Sequence, residues 1–272
     1  MTLSPALGVI GLGRMAQALI EPLLLSGQVS AERVVAVVGR PESAVSCRKG
    51  AFADIAIHPV DAAEAADVWS APLQLLAIKP QQIDAVSASA PGVGDSPLLV
   101  SVLAGVSIER LQRLFPSHRV VRAVPNTPAL VGAGLTALAW GKDITVEQRL
   151  QVRQLFVGVS EVLELPEEKL DAFLALTSSG PAFVALVAEA MADGAVAAGL
   201  PRDLAHRLTH RTLAGTAALL DGRQLHPAIL KDMVTSPGGT TIAGMRALER
   251  GGTRSAVIEA VIAAAERSRQ LA

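Results

Sequence analysis

The sequence predicts an α/β fold with a doubly wound, mostly parallel sheet, followed by an all-α C-terminal domain. Through the first part of the chain, short apolar segments typical of buried strands alternate with helical segments. A strand, a glycine turn and a helix follow one another close to the N-terminus. From Pro166 onward the strand pattern does not recur. We therefore predict two domains, residues 1–165 and residues 166–272.

The segment Leu7–Leu19, LGVIGLGRMAQAL, indicates a dinucleotide site. A tight turn needs glycine first, a second glycine lets a pyrophosphate approach the main chain, and Ala16 lets the helix pack closely. The N–H groups at the helix N-terminus then hold the phosphates. The alternative is an ordinary glycine turn. The residues predicted to bind the pyrophosphate are Gly11, Leu12, Gly13, Arg14 and Met15.

The end of the second apolar segment, Arg33–Val38, predicts which dinucleotide is bound. A site for NAD places a carboxylate there to accept from the ribose 2′-hydroxyl, whereas this chain continues with Gly39 and Arg40. A guanidinium pairs with a 2′-phosphate, so we predict that Arg40 binds NADP(H). Glu42 lies close enough to keep NAD(H) as the alternative, and Arg40 as a solvated cation is the simpler interpretation.

The remaining strands extend the sheet and gather polar residues at one edge. Ligands of doubly wound sheets sit outside the carboxyl ends of the strands, so Lys79, Ala104 and Asn126 should lie near the glycine turn. Lys79 is predicted to face the cofactor or the substrate, and a solvated cation is its alternative. The predicted strands are Phe52–Ile57, Leu73–Ile78, Leu98–Leu103, Arg119–Val124, Leu135–Trp140 and Glu161–Leu165, with a helix at Val146–Phe156.

The C-terminal segments predict helices, and one of them predicts a homodimer. Pro181–Ala198 is apolar on nearly every side, and a domain this small has little interior in which to bury it. Glu189 and Asp193, one turn apart, are either hydrogen-bonded in that interface or a pair of general acids and bases. The predicted helices are Glu167–Leu176, Pro181–Ala198, Arg202–Leu220, Pro227–Val234, Thr241–Glu249 and Arg254–Leu271.

Composition excludes several classes of function. A net charge of −1 and an aromatic content of 3% argue against nucleic-acid binding. A single cysteine, Cys47, and an N-terminus unlike a signal peptide favour the cytoplasm. Charged residues within Ala182–Leu200 argue against a membrane span. His206 and His210 have metal-ligand spacing, but there is no HExxH motif and no obvious third ligand, so we predict no metal site.

A second glycine turn, in the segment Val234–Ile242 (VTSPGGTTI), leads into another predicted helix. Consecutive N–H groups at such a turn form a pocket suited to a small carboxylate, and Thr240 and Thr241 add hydroxyl groups. The simpler alternative is a capped connection between two helices.

Taken together, the motifs resemble those of the pyrroline-5-carboxylate reductase family from residue 7 to about residue 270. The resemblance implies NAD(P)H-dependent reduction of 1-pyrroline-5-carboxylate to L-proline. It also implies a Rossmann domain, a helical dimerisation domain and an active site completed by the partner subunit. The motifs are GLGRMA, AIKP at 77–80, PNTP at 125–128, SSGPAF at 178–183, DGAVAAGLPR at 193–202 and SPGGTTIAG at 236–244.

The resemblance also implies roles for individual residues. Thr241 is the catalytic candidate, as the donor of a hydrogen bond to the ring nitrogen, and Glu167 matches an acidic position near the cofactor. The residues implied at the nicotinamide end are Ala77, Ile78, Lys79, Pro80 and Ala104. Those implied to hold the substrate are Val234, Ser236, Gly239, Thr240 and Thr241, together with the N–H group of Gly238.

Two competing functions remain open. A β-hydroxyacid dehydrogenase shares the general plan but relies on a lysine in its helical domain. Lys169 and Lys231 are the only lysines in that part of this chain, and neither lies in a matching motif. A non-catalytic NADP(H) sensor would bind cofactor without turnover and would leave the turn at 236–241 without a purpose.

Overall fold

The computed structural model describes residues 6–90 and 96–270, which form two compact units. The first unit contains the described residues up to Ser178 together with those from Ala264 onward, and the second spans Ser179–Ala263. The domain boundary at residues 165/166 drawn from the sequence is a separate division and stays a prediction.

The first unit is built on an eight-stranded sheet in the order β3-β2-β1-β4-β5-β6-β7-β8. All neighbouring strands run parallel except β6 and β7, which are antiparallel. The doubly wound, mostly parallel sheet is thus confirmed. The strands are β1 (Leu7–Ile10), β2 (Val34–Val38), β3 (Ala56–Pro59), β4 (Leu73–Leu76), β5 (Leu98–Ser101), β6 (Arg119–Val124), β7 (Gly134–Trp140) and β8 (Ser160–Glu164).

The predicted third strand, Phe52–Ile57, was wrong by several residues. Phe52 lies in a 3₁₀ turn, Gly50–Phe52, that begins with a glycine at φ +57°. The Phe52 ring packs into the hydrophobic core although the residue lies in a turn. Its apolar character therefore reflects burial and does not indicate a strand. The strand itself begins at Ala56, and Ile57 is paired with Ala36 of β2.

Helices cover both faces of the sheet, and their starts follow the predicted signals. The Ser107 hydroxyl caps α4 by accepting from the N–H of Arg110 at 3.2 Å. Pro80 opens a short 3₁₀ turn that leads into α3. The helices of the first unit are α1 (Arg14–Leu25), α2 (Pro41–Cys47), α3 (Ile83–Ala88), α4 (Ile108–Leu114), α5 (Val146–Gln154) and α6 (Leu170–Thr177).

The second unit is helical, as predicted, with α7 and α8 packed against each other. Its helices are α7 (Gly180–Ala197), α8 (Arg202–Gly222), α9 (Pro227–Met233), α10 (Thr240–Arg250) and α11 (Thr253–Gln270), the last turns of which belong to the first unit.

The apolar helix α7 has little cover within this chain. Ala192 is its one buried residue, whereas Leu186 is 66% exposed and Val184 is 53% exposed. Contiguous apolar surface of this kind marks an interaction site. By length and hydropathy alone, the stretch Glu167–Ala197 could cross a membrane, but helices buried between subunits have the same composition.

Candidate functional site

The first glycine turn can be made only with glycine at its first position. Gly11 has φ +93°, and a Cβ added there would lie 2.6 Å from the carbonyl oxygen of Ala77. The N–H of Gly11 donates to the carbonyl of Val37 at 2.8 Å, and the N–H of Ala77 donates to that of Ile10 at 2.8 Å. The turn is therefore fixed between β2 and β4, and α1 begins immediately after it at Arg14.

A cavity of about 550 Å³ lies beside this turn, at the carboxyl ends of β1, β2 and β4. It brings together seven of the predicted cofactor residues. These are Leu12, Gly13, Arg14, Met15, Ala77, Ile78 and Lys79. The cavity therefore lies at the carboxyl edge of the sheet, where the sequence analysis expects ligands to bind.

The charge of this cavity suits an anionic ligand. Among the described residues that line it, Arg14 and Lys79 are basic and none is a carboxylic acid. Gly39 forms part of the wall, and the next residue, Arg40, is exposed at the start of α2. The main chain thus carries Arg40 to the cavity rim, although its side chain is outside the lining.

Sequence reasoning missed the contribution of α2. Ser43, Ser46 and Cys47 line the cavity, on one face of this short helix. The amide of Gln17 donates to the carbonyl of Leu12 at 2.9 Å and lies 3.6 Å from the Cys47 sulfur, which braces the glycine turn. The spacing of these three residues, at i, i+3 and i+4, was the signal that could have revealed them.

Besides Arg40, four predicted cofactor residues lie outside the described lining of this cavity: Gly11, which shapes the turn itself, and Pro80, Ala104 and Glu167. Pro80 begins the 3₁₀ turn after Lys79, and Ala104 is exposed beyond β5. Glu167 already has two partners: its Oε1 accepts from the N–H of Ile108 at 2.7 Å and from Arg122 at 3.2 Å. Direct contact of Glu167 with a cofactor stays a prediction.

Asn126 follows β6, at the predicted edge, but its side chain is occupied by the fold. Its Nδ2 donates to the carbonyl of Thr177 at 3.0 Å, and its Oδ1 accepts from the N–H of Leu135 at 2.8 Å. The side chain is buried, and both of its polar atoms are satisfied.

The second glycine turn lies between α9 and α10 in the second unit. Gly238 has φ +69°, and a Cβ on Gly239 would lie 2.3 Å from the Ser236 hydroxyl. The helix that follows begins at Thr240, so its first N–H groups have no partner within the helix. The connection and the first turn of α10 together carry all the predicted substrate residues: Val234, Ser236, Gly238, Gly239, Thr240 and Thr241.

Two other candidates from the sequence have simpler explanations. Asp193 forms an ion pair with Arg202, and no hydrogen bond or ion pair joins it to Glu189 among the described contacts. The His206 and His210 rings lie 6.3 Å apart, but the described residues contain no group of three His, Cys, Asp or Glu side chains arranged to hold a metal.

These features define a class of protein. A glycine turn between a buried strand and a helix, with a carboxylate-free cavity at the carboxyl edge of a doubly wound sheet, is the arrangement of a dinucleotide-binding α/β protein.

Comparison with known proteins identifies the family. Residues 167–271 match the family model described as pyrroline-5-carboxylate reductase dimerisation, and residues 6–105 match the model described as NADP oxidoreductase, coenzyme F420-dependent. The pyrroline-5-carboxylate reductase of Synechocystis is 46% identical, over 99% of each chain. That of pea is 39% identical, over 98% of this chain and 96% of its own. The chain belongs to the pyrroline-5-carboxylate reductase family.

Solved structures agree with this assignment. The crystal structure of Plasmodium falciparum pyrroline carboxylate reductase with NADP bound has a TM-score of 0.87 to this chain, at 26% identity, with 100% of this chain and 99% of that chain covered. The Streptococcus pyogenes 1-pyrroline-5-carboxylate reductase has a TM-score of 0.86 at 28% identity, with 97% and 98% covered.

Proposed function

We propose that this protein reduces 1-pyrroline-5-carboxylate to L-proline with NADPH. The observation that carries the proposal is the 46% identity to a pyrroline-5-carboxylate reductase over 99% of the chain. Two glycine turns, each at the start of a helix, support it because each offers N–H groups to an anion. One would hold the cofactor pyrophosphate and the other the substrate carboxylate.

NADP(H) is the preferred cofactor in this proposal, with NAD(H) as the alternative. The basic, carboxylate-free lining of the described cavity supports a dinucleotide with an additional phosphate. Arg40, at the rim, would bind that 2′-phosphate. Gly11 to Met15 would hold the pyrophosphate, while Ala77–Pro80 and Ala104 would lie at the nicotinamide end.

The chain's own residues would bind and polarise the substrate. When bound at the first glycine turn, NADPH would supply the hydride needed to reduce the C=N bond, and a proton on the nitrogen completes the reduction. The N–H groups of Gly238–Thr241 would fix the carboxylate. The Thr241 hydroxyl would donate to the ring nitrogen, which polarises the imine, or relay a proton to it from water. Catalysis then arises mainly from holding the two reactants in near-attack geometry.

The family's dimerisation domain also supports a homodimer. A cytoplasmic location is part of the proposal because the chain has a single cysteine, Cys47. Exposed apolar residues on α7, including Leu186 at 66% and Met191 at 41%, would be covered by the partner subunit. The partner would also complete the active site. In this proposal the protein binds neither nucleic acid nor membranes, and assembly beyond the dimer is left open.

Light scattering tests the dimer. Leu186→Glu places a charge on the exposed apolar face of α7 and should weaken association by about tenfold or more. Leu25→Glu is the matched control, since Leu25 is 73% exposed at the end of α1 in the first unit. A Leu186→Glu protein that remains as dimeric as the control at every concentration would exclude this interface.

An absorbance assay of NADPH oxidation tests the reaction. Adding 1-pyrroline-5-carboxylate should oxidise NADPH and produce an equal amount of L-proline, and NADH should react less efficiently. Oxidation of a β-hydroxyacid with NADP⁺ would instead support the dehydrogenase alternative. NADPH binding without turnover of either substrate class would support the sensor and contradict the proposal.

A further inference from the structure

A buried arginine lies at the centre of a charge cluster in the first unit. Arg122, on β6, is 4% exposed. Its Nη1 lies 3.2 Å from Glu167 Oε1, and its Nη2 lies 3.7 Å from Asp171 Oδ1. A guanidinium removed from water needs such compensating charge, and the loss of one partner leaves it uncompensated.

The two carboxylates extend the cluster to distant parts of the chain. Glu167 Oε1 also accepts from the N–H of Ile108, the first residue of α4, at 2.7 Å. Asp171 Oδ1 accepts from the Ser268 hydroxyl at 2.7 Å, and Ser268 is 4% exposed near the end of α11. Hydrogen bonds and ion pairs therefore connect Ser268, near the C-terminus, to the start of α4.

The start of α4 is the end of the loop that follows β5. This loop contains Ala104 and Gly105, and Gly105 has φ +72°. The loop begins with Val102, which lines the cavity beside the first glycine turn. Ser107 caps the N–H of Arg110, so the N–H of Ile108 needs another acceptor, which Glu167 provides.

The hydrogen bonding of the buried arginine is only partly satisfied. Nε and Nη2 of Arg122 are buried and have no hydrogen-bond acceptor among the described residues. Partly satisfied buried networks are sensitive to small displacements because the low local dielectric strengthens every remaining interaction. A change at one end of this cluster is therefore expected to alter the position of the others.

We propose that Arg122, Glu167, Asp171 and Ser268 are positioning residues that hold the loop 104–107 in place against the nicotinamide end of the cofactor. The inference rests on the proposed function, which places Ala104 at that end. Asp171 and Ser268 act through Arg122 and Glu167, without touching cofactor or substrate.

Three conservative variants test the cluster: Glu167→Gln, Asp171→Asn and Ser268→Ala. Each should lower kcat by about three- to tenfold and raise the Kd for NADPH by a similar factor, with the KM for 1-pyrroline-5-carboxylate unchanged. Glu164→Gln is the matched control because Glu164 pairs with Arg149 and Arg153 elsewhere in the same unit. It should leave all three constants at the wild-type values.

A double-mutant cycle tests the connection itself. Glu167→Gln and Ser268→Ala together should change the NADPH Kd by less than the product of their separate effects, since both release the same loop. A purely additive result would overturn the connection.

The outcomes separate positioning from other roles. If only Glu167→Gln raises the NADPH Kd, Glu167 contacts the cofactor directly and the cluster proposal is overturned. Lower melting temperatures with unchanged kcat and Kd would also overturn it, because they indicate a structural role alone. If the wild-type protein binds NADPH but does not reduce the substrate, the proposed function fails. The Kd values of the three variants then still decide for or against the cluster.

Discussion

The two glycine turns look alike in sequence but differ in how they are supported. Gly11 is enclosed: a Cβ there would lie 2.6 Å from the carbonyl of Ala77, and the turn is hydrogen-bonded to β2. Gly238 has a similar positive φ, yet no described atom lies within 4 Å of where its Cβ would be, and Ser236, Pro237 and Gly238 are exposed.

The difference shows what a helix N-terminus contributes by itself. Both turns offer N–H groups to an anion, but the first is set among strands that shape a cavity beside it, whereas the described residues around the second are helical. The second is open, which agrees with a substrate site that needs a further surface, and the proposed dimer would supply that surface. Three predictions test this contrast, from the largest expected effect to the smallest, and a fourth tests the stability of the unit that carries the first turn.

Substitution of the enclosed glycine should have the largest effect. Gly11→Ala forces an unfavourable φ and a clash with Ala77, so it should raise the NADPH Kd by about 100-fold or more and lower the melting temperature. Gly238→Ala suffers only the φ penalty, and we expect it to bind NADPH with wild-type affinity. Fluorescence titration of NADPH measures both. Equal losses of NADPH affinity in the two variants would contradict the contrast.

Removing the proposed catalytic hydroxyl should lower kcat/KM without changing the affinity for NADPH. Thr241→Ala loses one polar contact to the substrate, so kcat/KM should fall about tenfold to a hundredfold with the NADPH Kd unchanged. Thr212→Ala is the control, because the Thr212 hydroxyl bonds only to the carbonyl of Leu208 within its own helix among the described contacts. Unchanged steady-state kinetics in Thr241→Ala would remove the assignment.

Cofactor preference should depend on Arg40. Arg40→Ala removes the proposed partner of the 2′-phosphate, so the KM for NADPH should rise about tenfold while the KM for NADH stays constant. Lys49→Ala, an exposed cation just beyond the same helix, serves as the control. If both KM values rise equally in Arg40→Ala, the residue does not recognise the phosphate.

The smallest effect, and one absent at neutral pH, concerns the stability of the first unit. Burial lowers the pKa of His118 to about 4, and its Nε2 lies 3.1 Å from Gln74 Oε1. The unfolded chain therefore binds one more proton than the native protein between about pH 6.5 and 4, so stability falls as pH falls through this window.

Denaturant unfolding at several pH values measures this effect. His118→Phe removes the titrating group, so its free energy of unfolding should decline less than that of the wild-type protein as pH falls from 7 to about 4.5. Parallel declines in the two proteins would show that His118 does not contribute.

Local patterns in the sequence were enough to predict most of the first unit. The valine-rich segment RVVRAV predicted β6 at Arg119–Val124 to the residue, and the serine before α4 marked the start of that helix. The third strand was predicted to begin too early, at Phe52, because a residue in a turn can also be apolar when its side chain packs into the core. The lining contributed by α2 was missed because it depends on which face of that helix packs towards the glycine turn.

Local sequence patterns could not predict the contacts between residues that are far apart in the chain. Arg122 and Glu167 are 45 positions apart, and Asp171 and Ser268 are 97 apart. Neither pairing leaves a periodic signal, since each depends on how separate elements pack together. The exposure of α7 within one chain, by contrast, agrees with the sequence prediction, because an apolar helix in so small a domain had indicated a partner subunit.

A crystal structure with NADP⁺ and L-proline bound tests the central claim most directly. It should place the pyrophosphate on the N–H groups that follow Gly13 and the proline carboxylate on those of Gly238–Thr241. Proline bound away from residues 236–241, with those residues in contact with no ligand, would contradict the account.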